Sequence, residues 1–133
     1  KIPVYGQGLN IRDWIYVEDH CRGIDAAITS GTMGEIYNFG GYAEVSNIDL
    51  VTRIIGYLEK EESLIEFVQD RPGHDFRYAM DCQKATRDLG WEPQVTLKEG
   101  LGKTIDWYRT NQEWWTEVKS GSYREYYQDQ YGV

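Results

Sequence analysis

Basic residues are in deficit in this chain. Only 14 lysines and arginines stand against 22 aspartates and glutamates, a formal net charge of -8. Nucleic-acid affinity comes largely from Lys and Arg neutralising phosphates, so the balance argues against such a partner. Cysteine is scarce too. Cys21 and Cys82 lie far apart with no CxxC or mixed Cys/His spacing, which argues against a metal site and reads as unpaired cytosolic thiols. No apolar stretch approaches the ~20 residues that span a bilayer, and no signal peptide is visible. The expectation is a cytoplasmic protein without a membrane partner.

Catalytic motifs are missing as well. There is no Walker loop, no HExxH and no G-x-S-x-G. Gly6-Gln7-Gly8 and Gly40–Gly41 do not make a G-x-G-x-x-G that leads from a strand into a helix, so they read as turn glycines. Tyr57 precedes Lys60 at the wrong spacing for a Tyr-x-x-x-Lys pair, and no other tyrosine has a lysine four residues on. The chain alone shows no catalytic residues.

What is present is a globular composition, 41% hydrophobic and 27% charged, with 11 Tyr and 5 Trp. At 133 residues the chain suits one domain. Its opening, Lys1 followed at once by a strand-like IPVY, predicts a piece cut from something longer. Strands are expected at 2–5, 35–39 and 64–69, with an extended piece over 10–16. Val17, Cys21, Ile24 and Ile28 recur at helical spacing and predict a helix over 17–29 with that stripe facing the core. Ser46 is a candidate N-cap for a helix carrying Ile48, Val51, Ile55 and Leu58. Asp81 can cap a helix over 82–89, and Thr96-x-x-Glu99 fits a capping box before a longer helix. The tail, with Tyr123, Tyr126, Tyr127 and Tyr131, reads as helical pieces packed on the body. Short strands mixed with helices predict a mixed α/β layer rather than a complete doubly wound sheet.

Three features suggest anion recognition. Arg12 lies on an extended segment just before a helix, where its planar fork could grip a phosphate; equally, it could pair with Asp13 or Asp19. In RPGHD, Pro72–Gly73 stiffens the turn that carries Arg71 and His74, leaving little entropy to lose on binding. The alternative there is a turn in which Asp70 or Asp75 neutralises the arginine. Asn47 opens a helix, as a cap or as a contact to an anionic ligand. Tyr131 could stack on a planar ligand or anchor the terminus.

In order, PVYGxGxxxRDWxYVEDH, GExYNxGG, SNIDLV, RPGHDxRYAMD, LGWEP, NQEWW and QYG resemble the dTDP-glucose 4,6-dehydratases, extended short-chain dehydrogenases/reductases. The resemblance implies an N-terminal Rossmann domain that holds NAD and a smaller C-terminal domain that holds the nucleotide of the sugar. Residues 1–133 would be that C-terminal nucleotide-sugar-binding domain, a mixed α/β fold with the Rossmann half absent from the chain. The implied reaction oxidises C4 of dTDP-glucose, eliminates water across C5 and C6, and returns the hydride to C6. The catalytic residues would lie outside this chain, the isolated piece would be inactive, and the full-length enzyme would be a homodimer. Arg12, Asn47, Arg71, His74 and Tyr131 would contact the nucleotide diphosphate, with Pro3 and Tyr5 lining the base. Two other readings stand beside this one: the substrate domain of another NAD-dependent epimerase or decarboxylase, and a non-catalytic nucleotide-binding fragment.

Overall fold

The computed structural model describes residues 1–121. The chain divides into two compact units, Lys1–Leu101 and a second beginning at Gly102.

In the first unit, β1 (Ile2–Tyr5) alternates as an extended chain must, burying Val4 while Pro3 and Tyr5 point to the opposite face. The other short strands are β2 (Ile11–Asp13), β3 (Glu44–Ser46) and β4 (Ile65–Val68). β1 pairs parallel with β4, Ile2 opposite Ile65 and Tyr5 opposite Val68. Parallel partners require a crossover, and here it contains β2, helix α1 (Val17–Ser30), β3 and helix α2 (Asn47–Tyr57). β2 and β3 pair antiparallel with Arg12 opposite Val45.

Ser46 caps α2 as expected, its hydroxyl accepting from the Asp49 N–H at 3.2 Å, and Leu50 and Ile55 are buried. Helix α3 (Gln83–Leu89) begins where the Asp81 carboxylate accepts from the Gln83 N–H at 2.9 Å, and Gly90 ends it with φ of 63°. Cys82, Ala85 and Trp91 form one buried cluster, packed by Ile15, Tyr37, Phe39 and Leu89. Phe39 meets Trp91 edge-on at 4.8 Å between ring centres.

Two expectations fail. The stripe of α1 does not face the core: Val17, Ile24 and Ile28 are 62%, 44% and 78% exposed. The buried positions are Asp19 and Gly23 instead. Gly23 leaves room for the Phe39 ring, which an added Cβ would meet at 2.6 Å. Asp19 is buried because its carboxylate is saturated. It accepts from the backbone N–H groups of Gln94 (3.0 Å) and Val95 (2.9 Å) and from Arg22. The Trp91 indole N–H adds a bond to the Asp19 carbonyl at 3.0 Å. Residues 35–39, expected as a strand, form none, because no described strand pairs with them.

Helix α4 (Leu97–Thr110) starts with the Glu99 N–H donating to the Thr96 hydroxyl at 3.3 Å, and α5 covers Gln112–Ser120. Within the second unit, the Trp107 ring stands edge-on to Tyr108 and Trp114, each at 5.2 Å. The Trp115 indole N–H donates to the Tyr108 carbonyl at 2.8 Å. Tyr123, Tyr126, Tyr127 and Tyr131 lie outside the described residues. No helix among those described is long and apolar enough to cross a membrane.

Candidate functional site

Tyr5 ends β1, and Asp70 and Arg71 follow the end of β4. Two parallel strands thus deliver these side chains at their carboxyl ends, the position where open α/β folds commonly take ligands. Arg12 on β2 and Asn47 at the start of α2 reach the same place. Together with His74, Trp14 and Tyr78 they line a cavity of about 460 Å³. A second hollow of about 420 Å³, walled by Arg53, Tyr57, Lys98 and Leu101, contains none of the candidate residues.

Five sequence-predicted residues therefore converge: Tyr5, Arg12, Asn47, Arg71 and His74. Pro3 does not line the cavity, although it shares the Tyr5 face of β1. Tyr131 lies outside the described residues. Trp14 and Tyr78 were missed. For Trp14 a signal existed, since it follows Arg12 by two residues on an extended segment and so projects to the same side. Its indole N–H is buried without a hydrogen-bond partner among the described residues.

The two arginines are aimed but not neutralised. Neither forms an ion pair with a carboxylate among the described residues. The Arg12 guanidinium lies 4.3 Å from the Tyr78 ring centre and donates to the Asp75 carbonyl at 3.0 Å. That of Arg71 lies 4.4 Å from the ring centre of Tyr5. Arg12 also donates to the Ile11 carbonyl at 2.6 Å, so its cation–π seat and these bonds fix the plane of its guanidinium.

The carboxylates that could have quenched them are engaged elsewhere. Asp13 accepts from the Ala43 N–H at 2.8 Å, Asp19 serves the core, and Asp75 accepts from the Tyr78 hydroxyl. Asp70 bonds the His74 ring at 2.6 Å and the Arg71 backbone N–H at 2.8 Å. The hydrogen bond from His74, helped by the one from the Arg71 backbone, holds the Asp70 carboxyl below the usual carboxylate range. Arg77, outside the cavity, is tied to Glu44 by two bonds of 2.6 and 2.9 Å.

Asn47 is not the cap of α2; Ser46 is. Its backbone N–H donates to the Asn10 carbonyl at 3.0 Å, and its side chain remains at the cavity beside a helix N-terminus. That end of a helix favours negative charge. Two guanidiniums without a carboxylate partner among the described residues, an amide and a helix start thus stand around aromatic walls, a donor set that suits an anion.

The sequence model of the family described as GDP-mannose 4,6 dehydratase matches residues 1–104. The chain belongs to this family. It is 50% identical over 134 residues to the dTDP-glucose 4,6-dehydratase of Neisseria meningitidis, covering 92% of this chain and 38% of that protein. The Bacillus anthracis dTDP-glucose 4,6-dehydratase, solved in complex with NAD, is 46% identical, with a TM-score of 0.82 over 89% of this chain and 37% of that one. A double mutant of the Streptomyces venezuelae enzyme, also with NAD bound, is 42% identical with a TM-score of 0.85, covering 89% of this chain and 37% of that one. The chain therefore spans about 38% of the length of the dehydratases it matches, and its mixed α/β fold is part of the extended short-chain dehydrogenase/reductase architecture.

NAD does not fit the glycines of this part. A Cβ at Gly6 would meet the Asp70 carboxylate at 2.9 Å, and one at Gly8 would meet Val4 and Ile48 at 2.7 and 2.9 Å. One at Gly41 would collide with the Trp14 carbonyl at 1.8 Å. These glycines make room for the protein's own atoms rather than for a dinucleotide.

Proposed function

We propose that this chain is the nucleotide-holding part of an NAD-dependent dTDP-glucose 4,6-dehydratase, whose full-length form converts dTDP-glucose to dTDP-4-keto-6-deoxy-glucose. The observation that carries the reading is the pair of carboxylate-free guanidiniums, Arg12 and Arg71, seated on aromatic rings around one cavity. Their donors suit the two phosphates of a nucleoside diphosphate. Tyr5 and Trp14 offer faces against which a base can lie, and Asn47 with the α2 N-terminus adds neutral donors. Residues 1–133 would then act as a binding domain. NAD and the catalytic groups belong to the remainder of such an enzyme, and the working protein is a cytoplasmic homodimer.

Calorimetry with dTDP tests the site directly. Arg71→Ala should weaken binding by about 30-fold, the value of one charge-assisted contact at about 2 kcal/mol, while Arg77→Ala should leave it within about twofold. Equal small effects from both would overturn the assignment. The full-length enzyme, given NAD and dTDP-glucose, should yield the keto-deoxy sugar; an epimer or a decarboxylated product would refute the activity.

A further inference from the structure

Asp70 is exposed, yet its carboxylate is engaged twice, beside the cavity-lining Arg71. One oxygen, Oδ1, receives both the Arg71 backbone N–H at 2.8 Å and the His74 ring at 2.6 Å through Nδ1. The far side of that ring, Nε2, lies 3.2 Å from Nη2 of Arg12. A guanidinium has only donors, so this nitrogen of His74 must accept. The ring proton is then on Nδ1, where it is donated to Asp70. A single hydrogen-bond polarity runs from Arg12 through His74 to Asp70.

We infer that Asp70 is a positioning residue of this site: it sets the tautomer of His74, so that His74 holds the Arg12 guanidinium toward the cavity rather than itself meeting the anion. The inference deepens the functional reading above and rests on it only for its effect on affinity.

Three observations support the chain. Gly6 makes space for the Asp70 side chain in this orientation, since an added Cβ there would touch the carboxylate at 2.9 Å. The Tyr5 ring stands edge-on to His74 at 6.2 Å, at 83° between planes, and limits how the imidazole can turn. The hydrogen bond from His74 is the largest influence lowering the Asp70 pKa, as expected if the carboxylate accepts. Removing Asp70 would free the proton to move to Nε2, and an N–H there would face the donors of Arg12. Two donors cannot share that contact, so Arg12 would lose its His74 anchor and keep the Ile11 and Asp75 carbonyls and the Tyr78 ring.

The chain has only 2 histidines, which makes the tautomer directly measurable. Long-range proton–nitrogen NMR at about pH 8.5, above the ordinary histidine range, distinguishes protonated from bare ring nitrogens, with His20→Gln assigning the signals. The wild-type chain without ligand should show His74 protonated on Nδ1 and the Arg12 guanidinium slow to rotate. Asp70→Ala should transfer His74 population to the Nε2 tautomer and speed the rotation of Arg12, while Arg77→Ala changes neither. A wild-type His74 protonated on Nε2, or an Asp70→Ala chain with unchanged spectra, overturns the inference. In calorimetry with dTDP, Asp70→Ala should weaken binding about tenfold, with little further loss when His74→Ala is added, because both act through Arg12. Additive losses would instead mean that His74 meets the ligand directly, and would overturn the inference. Failure of the wild-type chain to bind dTDP would refute the functional reading, while the tautomer result would still decide this one.

Discussion

Replacing Asp19 with asparagine should be far more damaging than its place in a helix suggests. The carboxylate accepts from the Gln94 and Val95 backbone N–H groups at 3.0 and 2.9 Å and from Arg22, with only 1% of the residue exposed. An amide of the same size keeps one acceptor oxygen but turns an NH2 group toward donors. Losing about two hydrogen bonds to a charged group, at about 1.5 kcal/mol each, gives about 3 kcal/mol. That is the lower end of what breaking a buried ion pair costs. At about 4 °C per kcal/mol the melting temperature should fall by about 12 °C. Acid provides an independent check. Burial alone would raise the Asp19 pKa, but the bonds from Arg22, Val95 and Gln94 together outweigh it and lower the pKa. A lowered folded-state pKa means that the stabilisation is present above the unfolded value of about 3.9 and is lost as pH falls through the folded one. Thermal melts followed by circular dichroism from pH 7 to pH 2.5 should therefore show wild type and Asp19→Asn far apart near neutrality and converging below about pH 3.9. A difference under about 1 kcal/mol at pH 7, or parallel curves across the acid range, would refute the reasoning.

Two glycines should respond in opposite directions. Gly41→Ala drives a Cβ into the Trp14 carbonyl at 1.8 Å and should cost at least about 3 kcal/mol in a denaturant titration, whereas Gly56→Ala, in helix α2 with open space around it, should add about 0.5–1 kcal/mol. The thiols should also separate. Cys21 is exposed, whereas burial pushes the Cys82 thiol up, so a thiol reagent at pH 8 should modify one cysteine in the folded chain and two in denaturant; two fast reactions in the folded chain would contradict the buried core.

Local signals in the sequence were read well where the chain meets only itself. Ser46 as a cap, Gly90 as a stop and the alternation of IPVY all follow from short-range chemistry. For Arg12, Asn47, Arg71 and His74 the spacing alone left anion contact and local pairing or capping both open, and the resemblance favoured the former; that the four line one cavity depends on the fold. The α1 stripe misled because periodicity reports where apolar residues lie, not which face finds a partner. A buried carboxylate with three donors took the inner face instead. Residues 35–39 carry strand composition, but a strand exists only through a neighbour, and the described residues provide none. Tyr78 was invisible because its role, to support Arg12, depends on a contact between distant segments.

The pairing of β1 with β4 has a kinetic consequence. Ile2 must find Ile65, and Arg12 must find His74 across 62 residues, before either wall of the cavity exists. Such contacts raise the contact order, and chains dominated by them fold slowly, because the loop must close before the contact rewards it. The cavity consequently forms with the whole first unit, not ahead of it. A peptide bearing RPGHD alone would contain the arginine and the turn but no Tyr5, no Arg12 and no Asn47. Any ligand that selects the assembled site draws the folding equilibrium toward the native state by mass action.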